Sequence, residues 1–557
     1  MSEFNYGDPI PLPINRRKQK RATDERAARH YAKLLSEADE LYVKDSAGVS
    51  QALALFDREE ANIRGWQRWA GNQFQIKADD RFAAEMCRDY ALTGVYPADL
   101  RLHASEKVRW LEVCVAASRQ LSDRRSEGNA LGTLGLAWAA LGDARKAIGF
   151  YEQHLAIARE ICDRRSEGQT LCNLGMAWET LGDAKTAIGF YEQDLVISRE
   201  TGDRRGEGQT LNSLGNAWAV LGDMRKATDI YNQALIIARA TGDRRSEANA
   251  LGNLALAWAA FGDIRKAIGL HDQALEIARE TGDRHAEGKA LCNLGNAWAA
   301  LGDPNTAIGF YGQDLAIARE TGDRRGEGQT LNNLGNAWAA LGDMRKAMGF
   351  YEQDLAIALE TGDRRGEGRV LGNLGLVWAA FGDASKAAEL HEQSLAIARE
   401  TGDRRTQANA LCNLGLAWAA LGDAPKATEF QEQSLAIALE TGDRRAEANA
   451  LWNLGIAWKK CGDTRKSIQL FDQVLAIARE TGDRHSEGSV LGNLALAFNA
   501  MGQRDEAFRR AKEALSVFQA IDSPLADRVW EMRLSATLGE FRLWPCQSGP
   551  TPGVGSF

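Results

Sequence analysis

Side-chain carboxamides recur at regular intervals along this sequence and are its most distinctive chemical groups. A carboxamide offers both a hydrogen-bond donor and an acceptor, so it can hold a peptide backbone whatever the partner's sequence. Asparagines recur along the sequence at a fixed interval, the one between Asn293 and Asn333, or at twice that interval, and we call this series the asparagine ladder. Other carboxamides lie within one helical turn of these asparagines. The candidate peptide-binding residues of this kind are Asn173, Gln209, Asn212, Asn216, Asn253, Asn293, Asn296, Gln329, Asn332, Asn333, Asn336, Asn373 and Asn413.

One position of the repeat, close to the asparagine ladder, is polar in some repeats and apolar in others. Asn216, Asn296 and Asn336 are polar there, whereas the equivalent residues of other repeats are Leu136, Met176, Leu256, Leu376, Leu416, Ile456 and Leu496. A groove lined by this row would have apolar ends and a polar centre. The asparagines can instead bridge neighbouring repeats through hydrogen bonds, and the two roles can coexist.

Histidines and cysteines are spaced unfavourably for catalysis or metal binding. His271 and His391 are far apart in the sequence, and Cys172, Cys292 and Cys412 are spaced by the same long interval. The sequence has no HExxH, GxSxG or CxxC motif. Because serines, aspartates and glutamates recur in every repeat, they do not form the single constellation that an active site needs. We predict a protein without enzymatic activity, metal or cofactor.

Composition and charge argue against several other classes. The chain has 557 residues and a net charge of -8, without the basic excess of a nucleic-acid-binding protein. Its one basic run, residues 16–21, is more typical of a solvated leader than of a nuclear-import or phosphate-binding patch. No segment has the roughly 18 consecutive apolar residues of a membrane span, and the N-terminus lacks a signal-peptide pattern. We predict a cytoplasmic protein that binds neither nucleic acid nor membranes.

An internal repeat positions all of these candidates. From residue 121 to residue 520 the sequence repeats without insertion or deletion, in ten units of about 40 residues each. The frame is marked by Trp138, Trp178, Trp218, Trp258, Trp298, Trp338, Trp378, Trp418 and Trp458, and by Phe498 in the last unit.

Each unit contains two helices whose ends are marked by Gly-Asp pairs. Gly202-Asp203 is one such pair, and Gly222-Asp223 is the next. Glycine accepts the left-handed conformation that ends one helix, and aspartate caps the first amides of the next. We predict a helix of about 17 residues between successive pairs. Pro304 and Pro425 fall in a first turn, where proline is tolerated.

Apolar residues predict one buried stripe on each helix. On a first helix the stripe consists of Leu211, Leu214, Trp218 and Leu221, and on a second helix of Ala227, Tyr231, Leu235 and Ala238. Gly215 lies within the first stripe, which predicts close approach of the paired helix. Since neither helix can bury its stripe alone, neighbouring hairpins must stack. The paired arginines that open each unit, such as Arg204 and Arg205, are expected to pair with Glu207 or with an acid of the next unit.

The spacing of Leu211, Leu214-Gly215, Trp218, Gly222, Ala227, Tyr231 and Ala234 resembles the tetratricopeptide signature, with tryptophan in place of the usual tyrosine. The repeat length, the Asp323-Arg324-x-x-Glu327 start and the Leu334-Gly335-Asn336-Ala337 core are similar to kinesin light chains and to spindle-orientation adaptors rich in Leu-Gly-Asn. This resemblance covers residues 121–520. It implies an all-α fold, a right-handed superhelical solenoid of antiparallel helix hairpins that binds peptides or proteins on its concave face. Lys289 and Arg369 match one position of the family's terminal-carboxylate clamp.

A second resemblance concerns the segment before the repeats. FDREEANIRGWQRWA, residues 56–70, is similar to the sequence that follows the winged helix in bacterial signal-transduction ATPases of the STAND class. In those proteins a tetratricopeptide arm senses a ligand. The sequence contains no GxxxxGK[ST] phosphate loop, so the resemblance implies a sensor arm without the nucleotide-binding domain.

The sequence predicts five regions. Residues 1–23 are expected to be a disordered basic leader, and 24–120 a helical cap that ends in a degenerate hairpin. Residues 121–520 are ten repeats, 521–542 a capping helix, and 543–557 a disordered tail.

Three functional hypotheses follow from these features. The first is a protein- or peptide-binding scaffold or sensor module that holds a partner segment in the groove of the superhelix. The second is a self-assembling structural rod, since near-identical units can stack end to end if the caps are weak. The third is the regulatory arm of a multi-component signalling or defence NTPase. The oligomeric state stays open among them.

Overall fold

In the computed structural model of this chain, the residues described are 14–44, 46–77, 79–93, 96 and 100–520. The regular elements of these ranges are α-helices, and no strand occurs among them. The chain forms two compact units, residues 1–277 and 278–557. The predicted capping helix at 521–542 and the predicted tail lie outside the described residues.

Before the repeats, the described part of the chain includes the helices α1 (Ile14–Tyr42), α2 (Ser46–Ile76), α3 (Arg81–Leu92) and α4 (Ala104–Gln120). Phe56 of α2 and Tyr90 of α3 are buried in their core, where the Tyr90 hydroxyl donates to the Ala28 carbonyl at 2.9 Å.

Helix α1 begins earlier than the composition predicts. It starts at Ile14, so residues 14–23, expected in a disordered leader, are helical. Arg21 supplies a physical reason, because its Nε donates to Glu25 at 2.8 Å one helical turn later. Arg21 also forms an ion pair with Asp80, which connects this part of α1 to the start of α3.

Ten helix pairs follow between residues 124 and 520, here called hairpins 1 to 10. Their first helices are α5 (Arg124–Ala140), α7 (Arg164–Thr180), α9 (Arg204–Val220), α11 (Arg244–Ala260), α13 (Arg284–Ala300), α15 (Arg324–Ala340), α17 (Arg364–Ala380), α19 (Arg404–Ala420), α21 (Arg444–Lys460) and α23 (Arg484–Ala500). Their second helices are α6 (Ala144–Glu160), α8 (Ala184–Thr201), α10 (Met224–Thr241), α12 (Ile264–Thr281), α14 (Pro304–Thr321), α16 (Met344–Thr361), α18 (Ala384–Thr401), α20 (Ala424–Thr441), α22 (Thr464–Thr481) and α24 (Arg504–Ala520).

The Gly-Asp pairs end and start the helices as predicted. Gly202 adopts a φ of 71°, in the left-handed region that favours glycine, and ends α8. The Asp203 carboxylate then accepts the backbone N–H of Gly206 at 2.8 Å, which caps α9. Pro304 and Pro425 both lie in the first turn of a second helix, as expected.

Within a hairpin, glycine allows the two helices to approach closely. A Cβ atom on Gly215 would lie 2.4 Å from the ring of Tyr231, a distance too short for any side chain. The same contact joins Gly335 to Tyr351 in hairpin 6. The prediction that Gly215 serves close helix approach is therefore confirmed, with the tyrosine ring as the group that fills the space.

The buried stripe of the first helix is narrower than predicted. Leu211 and Leu214 are buried, but Trp218 is only half-buried and Leu221 is exposed. The Trp218 ring instead lies under the Lys226 ammonium, whose Nζ is 3.4 Å from the ring centroid, a cation–π contact. Similar lysines cover five other tryptophans of the series: Trp138, Trp258, Trp338, Trp418 and Trp458. Trp218 therefore packs against the core with part of its ring and contacts Lys226 with its face.

Neighbouring hairpins are joined by repeated ion pairs. Glu207 is buried, and its carboxylate accepts from Arg199 Nε of the preceding hairpin at 2.8 Å and from Arg204 of its own helix. Arg205 Nε donates to Asp243, the N-cap of the next hairpin, at 2.9 Å. The predicted pairing of both arginines is therefore confirmed.

Candidate functional site

The predicted peptide-binding residues lie on first helices, and their accessibility differs. We call the side of these helices that carries them the carboxamide surface. Exposed side chains are Gln209, Asn216, Lys289, Gln329 and Arg369; half-buried ones are Asn173, Asn212, Asn253, Asn293, Asn296, Asn333, Asn336, Asn373 and Asn413. Asn332 is buried, with 6% of its surface exposed, so a partner reaches it least.

Three of the asparagines are held by tyrosines of their own hairpins. The Tyr231 hydroxyl donates to Asn216 Oδ1 at 2.7 Å. In unit 278–557 the same bond links Tyr311 to Asn296 at 2.6 Å and Tyr351 to Asn336 at 2.7 Å. Burial raises the pKa of Tyr231 to about 12, and it raises the pKa of Tyr311 and Tyr351 as well. The hydroxyls therefore stay protonated and keep the carboxamide oxygens occupied.

This tyrosine contact has only a partial signal in the sequence. The hairpins with asparagine at this position have a tyrosine on the following helix, as in Asn296 and Tyr311. In hairpins 4 and 7 the pair is instead Leu256 with His271 and Leu376 with His391. Tyr151 and Tyr191 occur with Leu136 and Met176 as well, so the sequence permits the contact between asparagine and tyrosine but does not identify it.

The asparagine ladder also joins neighbouring hairpins in unit 278–557. Asn373 Nδ2 donates to Asn332 Oδ1 of the preceding hairpin at 2.8 Å. Asn333 Nδ2 lies 3.4 Å from Asn296 Oδ1, and Asn453 Nδ2 lies 3.2 Å from Cys412 Sγ. The bridging role that the sequence left open is therefore present here, while Asn293 and Asn413 have no side-chain hydrogen bond among the described residues.

Buried carboxylates behind this surface escaped the sequence-based prediction. Asp194 of α8 accepts the Thr210 hydroxyl of α9 at 2.5 Å, and Asp314 of α14 accepts that of Thr330 at 2.5 Å. Burial raises the pKa of both carboxyl groups, and the threonine hydroxyls oppose that rise. The only sequence signal was the recurrence of an aspartate late in one hairpin with a threonine early in the next.

Asp354 is the equivalent residue of hairpin 6 and lacks such a partner. It is 3% exposed, and its Oδ2 has no hydrogen bond within the described part of the chain. Burial raises its pKa to about 7, and the positive charge of Arg369 opposes this rise. Arg369 is itself exposed on the carboxamide surface, so its charge acts on both the surface and the carboxyl group behind it.

Apolar side chains flank the polar part of the carboxamide surface. In unit 1–277, Leu136, Met176 and Leu256 each expose about half of their surface. In unit 278–557 the corresponding exposed residue is Leu416. The surface therefore combines hydrogen-bonding groups with apolar groups that a partner can cover.

Among the repeat histidines His271 and His391 are buried, and Cys172, Cys292 and Cys412 are half-buried. Burial lowers the pKa of His271 and of His391 to about 4 and raises that of Cys172 to about 12. Among the described residues no three His, Cys, Asp or Glu side chains are grouped to hold a metal ion. No described helix is both long and apolar enough to cross a membrane.

The sequence model of the tetratricopeptide repeat matches this chain at residues 206–280, 247–320, 327–400, 366–440 and 446–520, together more than half of its length. No curated protein matches the sequence.

Several solved structures are similar to parts of this chain. A putative kinesin light chain from Podosopora anserina, with nearly identical TPR-like repeats, is 22% identical; the match covers 35% of this chain and 95% of that chain, with a TM-score of 0.31. The quorum sensor NprR from B. thuringiensis is 15% identical over 65% of this chain and 99% of its own, with a TM-score of 0.45. A STAND protein with a tetratricopeptide repeat sensor from Pyrococcus horikoshii is 14% identical over 80% and 73%, with a TM-score of 0.45. At these identities the likeness concerns the fold alone.

Proposed function

The chain belongs to the tetratricopeptide repeat family, and from this premise we propose that it is a scaffold or sensor that holds a segment of another polypeptide. The segment lies along the carboxamide surface, with its main contacts on α13, α15 and α17. The observation that supports this most is the state of Asn336. Its Oδ1 accepts from Tyr351, whereas its Nδ2 has no partner among the described residues, and the residue as a whole is half-buried.

The tyrosine bond orients this carboxamide for a partner. With the oxygen occupied by a hydroxyl that stays protonated, the Nδ2 group is left as a fixed donor on the surface. A donor that is already oriented loses little conformational entropy on binding. Asn296 is held by Tyr311 in the same way on the preceding first helix. Two such side chains, at equivalent positions of adjacent hairpins, suit carbonyl groups several residues apart in an extended peptide.

The partner's chemistry follows from the groups around these donors. Lys289 and Arg369 are exposed cations on the first helices of hairpins 5 and 7, so an acidic side chain or a terminal carboxylate fits there. The proposed partner is therefore a protein or peptide, and not a nucleic acid or a membrane. We place this interaction in the cytoplasm and assign the chain no catalytic activity of its own.

A selection from a random peptide library tests the proposal. Peptides that bind the purified chain are measured again on a double variant, Gln329→Ala with Arg369→Ala, whose side chains are exposed. We expect a loss of about 1–3 kcal/mol, roughly a five- to hundredfold weaker Kd, because buried peptide groups lose their hydrogen-bonding partners. Hydrogen exchange should show protection of α15 and α17 in the complex.

The matched control removes two exposed polar residues from second helices of hairpins 6 and 7. In Glu352→Ala with Glu392→Ala, binding should stay within twofold of the unchanged chain. Peptides that lose affinity on this control and not on the first variant would place the binding surface on the second helices. A selection that enriches no peptide would also contradict the proposal.

A further inference from the structure

A small pocket between α2 and α4, outside the repeats, is lined by an unusual set of polar side chains. Its volume is about 190 Å³, and the residues that decide its chemistry are Arg64, Gln67, Arg68, Glu106 and Arg109. We infer that this pocket binds a phosphoryl dianion, either inorganic phosphate or the phosphate group of a small monoester. The inference is independent of the proposed peptide binding, since it concerns other helices.

The charge of the pocket favours an anion. Three of its residues are arginines and one is a glutamate, in a chain whose net charge is -8. Arg68 and Arg109 are exposed and form no ion pair with any described residue. Two guanidinium groups without carboxylate partners complement a dianion, and the planar guanidinium matches phosphate oxygens two at a time.

Arg64 carries an unused donor at the same place. Its Nη2 pairs with Glu60 Oε1 at 2.9 Å and lies 3.4 Å from Glu106 Oε2. Its Nε is buried and has no acceptor among the described residues. A buried N–H without an acceptor is rare in folded proteins, and a bound oxyanion would satisfy it.

Gln67 supplies a neutral donor on the pocket wall. Its side chain is 93% buried, because 7% of its surface is exposed, yet it has no hydrogen bond within the described part of the chain. It lies three residues after Arg64 and directly before Arg68, so these side chains follow one turn of α2. A carboxamide can donate to an anion without adding charge.

Gly71 borders the open space of the pocket, so a large side chain there would project into it. It lies one turn after Gln67 on α2 and lines the pocket, and a Cβ atom built there would meet nothing within 4 Å. A glycine inside a helix is unfavourable relative to alanine unless space is needed.

The size of the pocket limits the ligand. A volume of 190 Å³ is below the roughly 300 Å³ at which drug-sized ligands begin. A larger phosphorylated molecule would leave its remaining part in solvent.

Calorimetric titration with inorganic phosphate at constant ionic strength tests the inference, with chloride as the monoanion comparison and glycerol phosphate as the monoester. The purified full chain should bind phosphate and not chloride. The double variant Arg68→Gln with Arg109→Gln should bind phosphate at least tenfold more weakly. Tighter binding of glycerol phosphate than of phosphate would identify a monoester as the preferred source.

Two further variants distinguish a preformed phosphate site from the general electrostatic attraction of arginines for anions. Arg58→Gln with Arg81→Gln removes the same charge from arginines that already pair with Glu59 and Glu85, and it should bind phosphate as the unchanged chain does. Gly71→Leu fills the space without changing charge and should abolish binding. Absence of phosphate binding by the unchanged chain, an equal loss in the Arg58 and Arg81 variant, or unchanged binding by Gly71→Leu would each overturn the inference.

Discussion

Two neighbouring junctions in unit 278–557 bury the same residue type in different surroundings. Where hairpin 5 packs on hairpin 6, Asp314 accepts the Thr330 hydroxyl at 2.5 Å. Where hairpin 6 packs on hairpin 7, Asp354 occupies the equivalent position, but Val370 stands in place of the threonine. Both carboxyl groups are more than 90% buried, with exposures of 8% and 3%.

The difference shows that the free energy of burying an aspartate here depends on the following repeat. A hydrogen bond to the charged form favours it, whereas burial without one favours the neutral form. Hairpins 7 and 8 avoid the problem with serine, because Ser394 donates to the Gly368 carbonyl at 2.7 Å and Ser434 to the Ala408 carbonyl at 2.9 Å. Among these buried aspartates, Asp354 has the pKa that burial raises furthest, to about 7, so we expect its junction to vary most with pH near neutrality.

The largest expected effect is the pH dependence of the stability of the Asp354 junction. It is measured as the difference in stability between the unchanged chain and Asp354→Ser. The pKa of Asp354 is about 7 when folded, against 3.8 for the free residue, so the folded chain binds this proton more tightly. The resulting stability is complete below pH 3.8 and is lost as pH rises through about 7. Each pKa unit corresponds to about 1.4 kcal/mol, so a difference of about three changes the free energy of unfolding by up to about 4 kcal/mol.

Hydrogen exchange of α16 and α17 at a series of pH values measures this difference locally. The serine hydroxyl can donate to the Gly328 carbonyl, as its counterpart does in hairpin 7, so the variant should fold. Subtraction of the two curves removes other carboxylates, such as Glu327, whose pKa is lowered by Arg319 and Arg324 despite its burial. A difference that does not change with pH would show that Asp354 is not protonated in the folded chain.

The next effect comes from making the first junction resemble the second. Thr330→Val leaves Asp314 without its donor and should destabilise hairpins 5 and 6 by about 2 kcal/mol at neutral pH, the scale of an unsatisfied buried group. The loss should shrink at acidic pH, where Asp314 becomes protonated. Urea denaturation measured by circular dichroism is a suitable measurement.

Thr361→Val is the control for this change. Thr361 is exposed, and its hydroxyl donates to the Ile357 carbonyl of its own helix. We expect less than half the effect there. Equal losses in the two variants would mean that the bond between Asp314 and Thr330 contributes nothing particular.

A smaller effect is expected from repairing the second junction. Val370→Thr places a hydroxyl opposite Asp354 and should stabilise the chain by about 1 kcal/mol above pH 7, since a bond to a charged group outweighs the burial of the hydroxyl. The pKa of Asp354 should fall at the same time. Stability that decreases at every pH would show that the hydroxyl does not reach the carboxylate.

The smallest effect tests whether the two second helices are otherwise equivalent. Gly309→Ala on α14 and Gly349→Ala on α16 each add a Cβ atom that meets nothing within 4 Å. Each should stabilise its helix by about 0.5 kcal/mol, because alanine is favoured over glycine in a helix. Unequal effects would mean that the junctions differ in more than Thr330 and Val370, which would weaken the comparison.

Local residue patterns by themselves determined the repeat, the helix ends and the family. Gly202 and Asp203 end and start helices through backbone groups a few residues away, so their role is visible in the sequence. Gly215, within the buried stripe, also predicted the close approach of the paired helix. The predicted apolar stripe was partly wrong, because Leu221 is exposed, whereas Trp218 packs against the core and also lies under Lys226 of the next helix.

Only the tertiary structure decided which polar atoms are partners. Asn336 lies 15 residues from Tyr351, and Asn332 lies 41 residues from Asn373, yet both pairs are within hydrogen-bonding distance. Sequence shows that such residues are present, but the stacking of the helices determines which of their atoms meet and which donors stay available. The same holds for Asp354, since burial and the loss of one hydroxyl on the next hairpin, and not its own sequence position, raise its pKa.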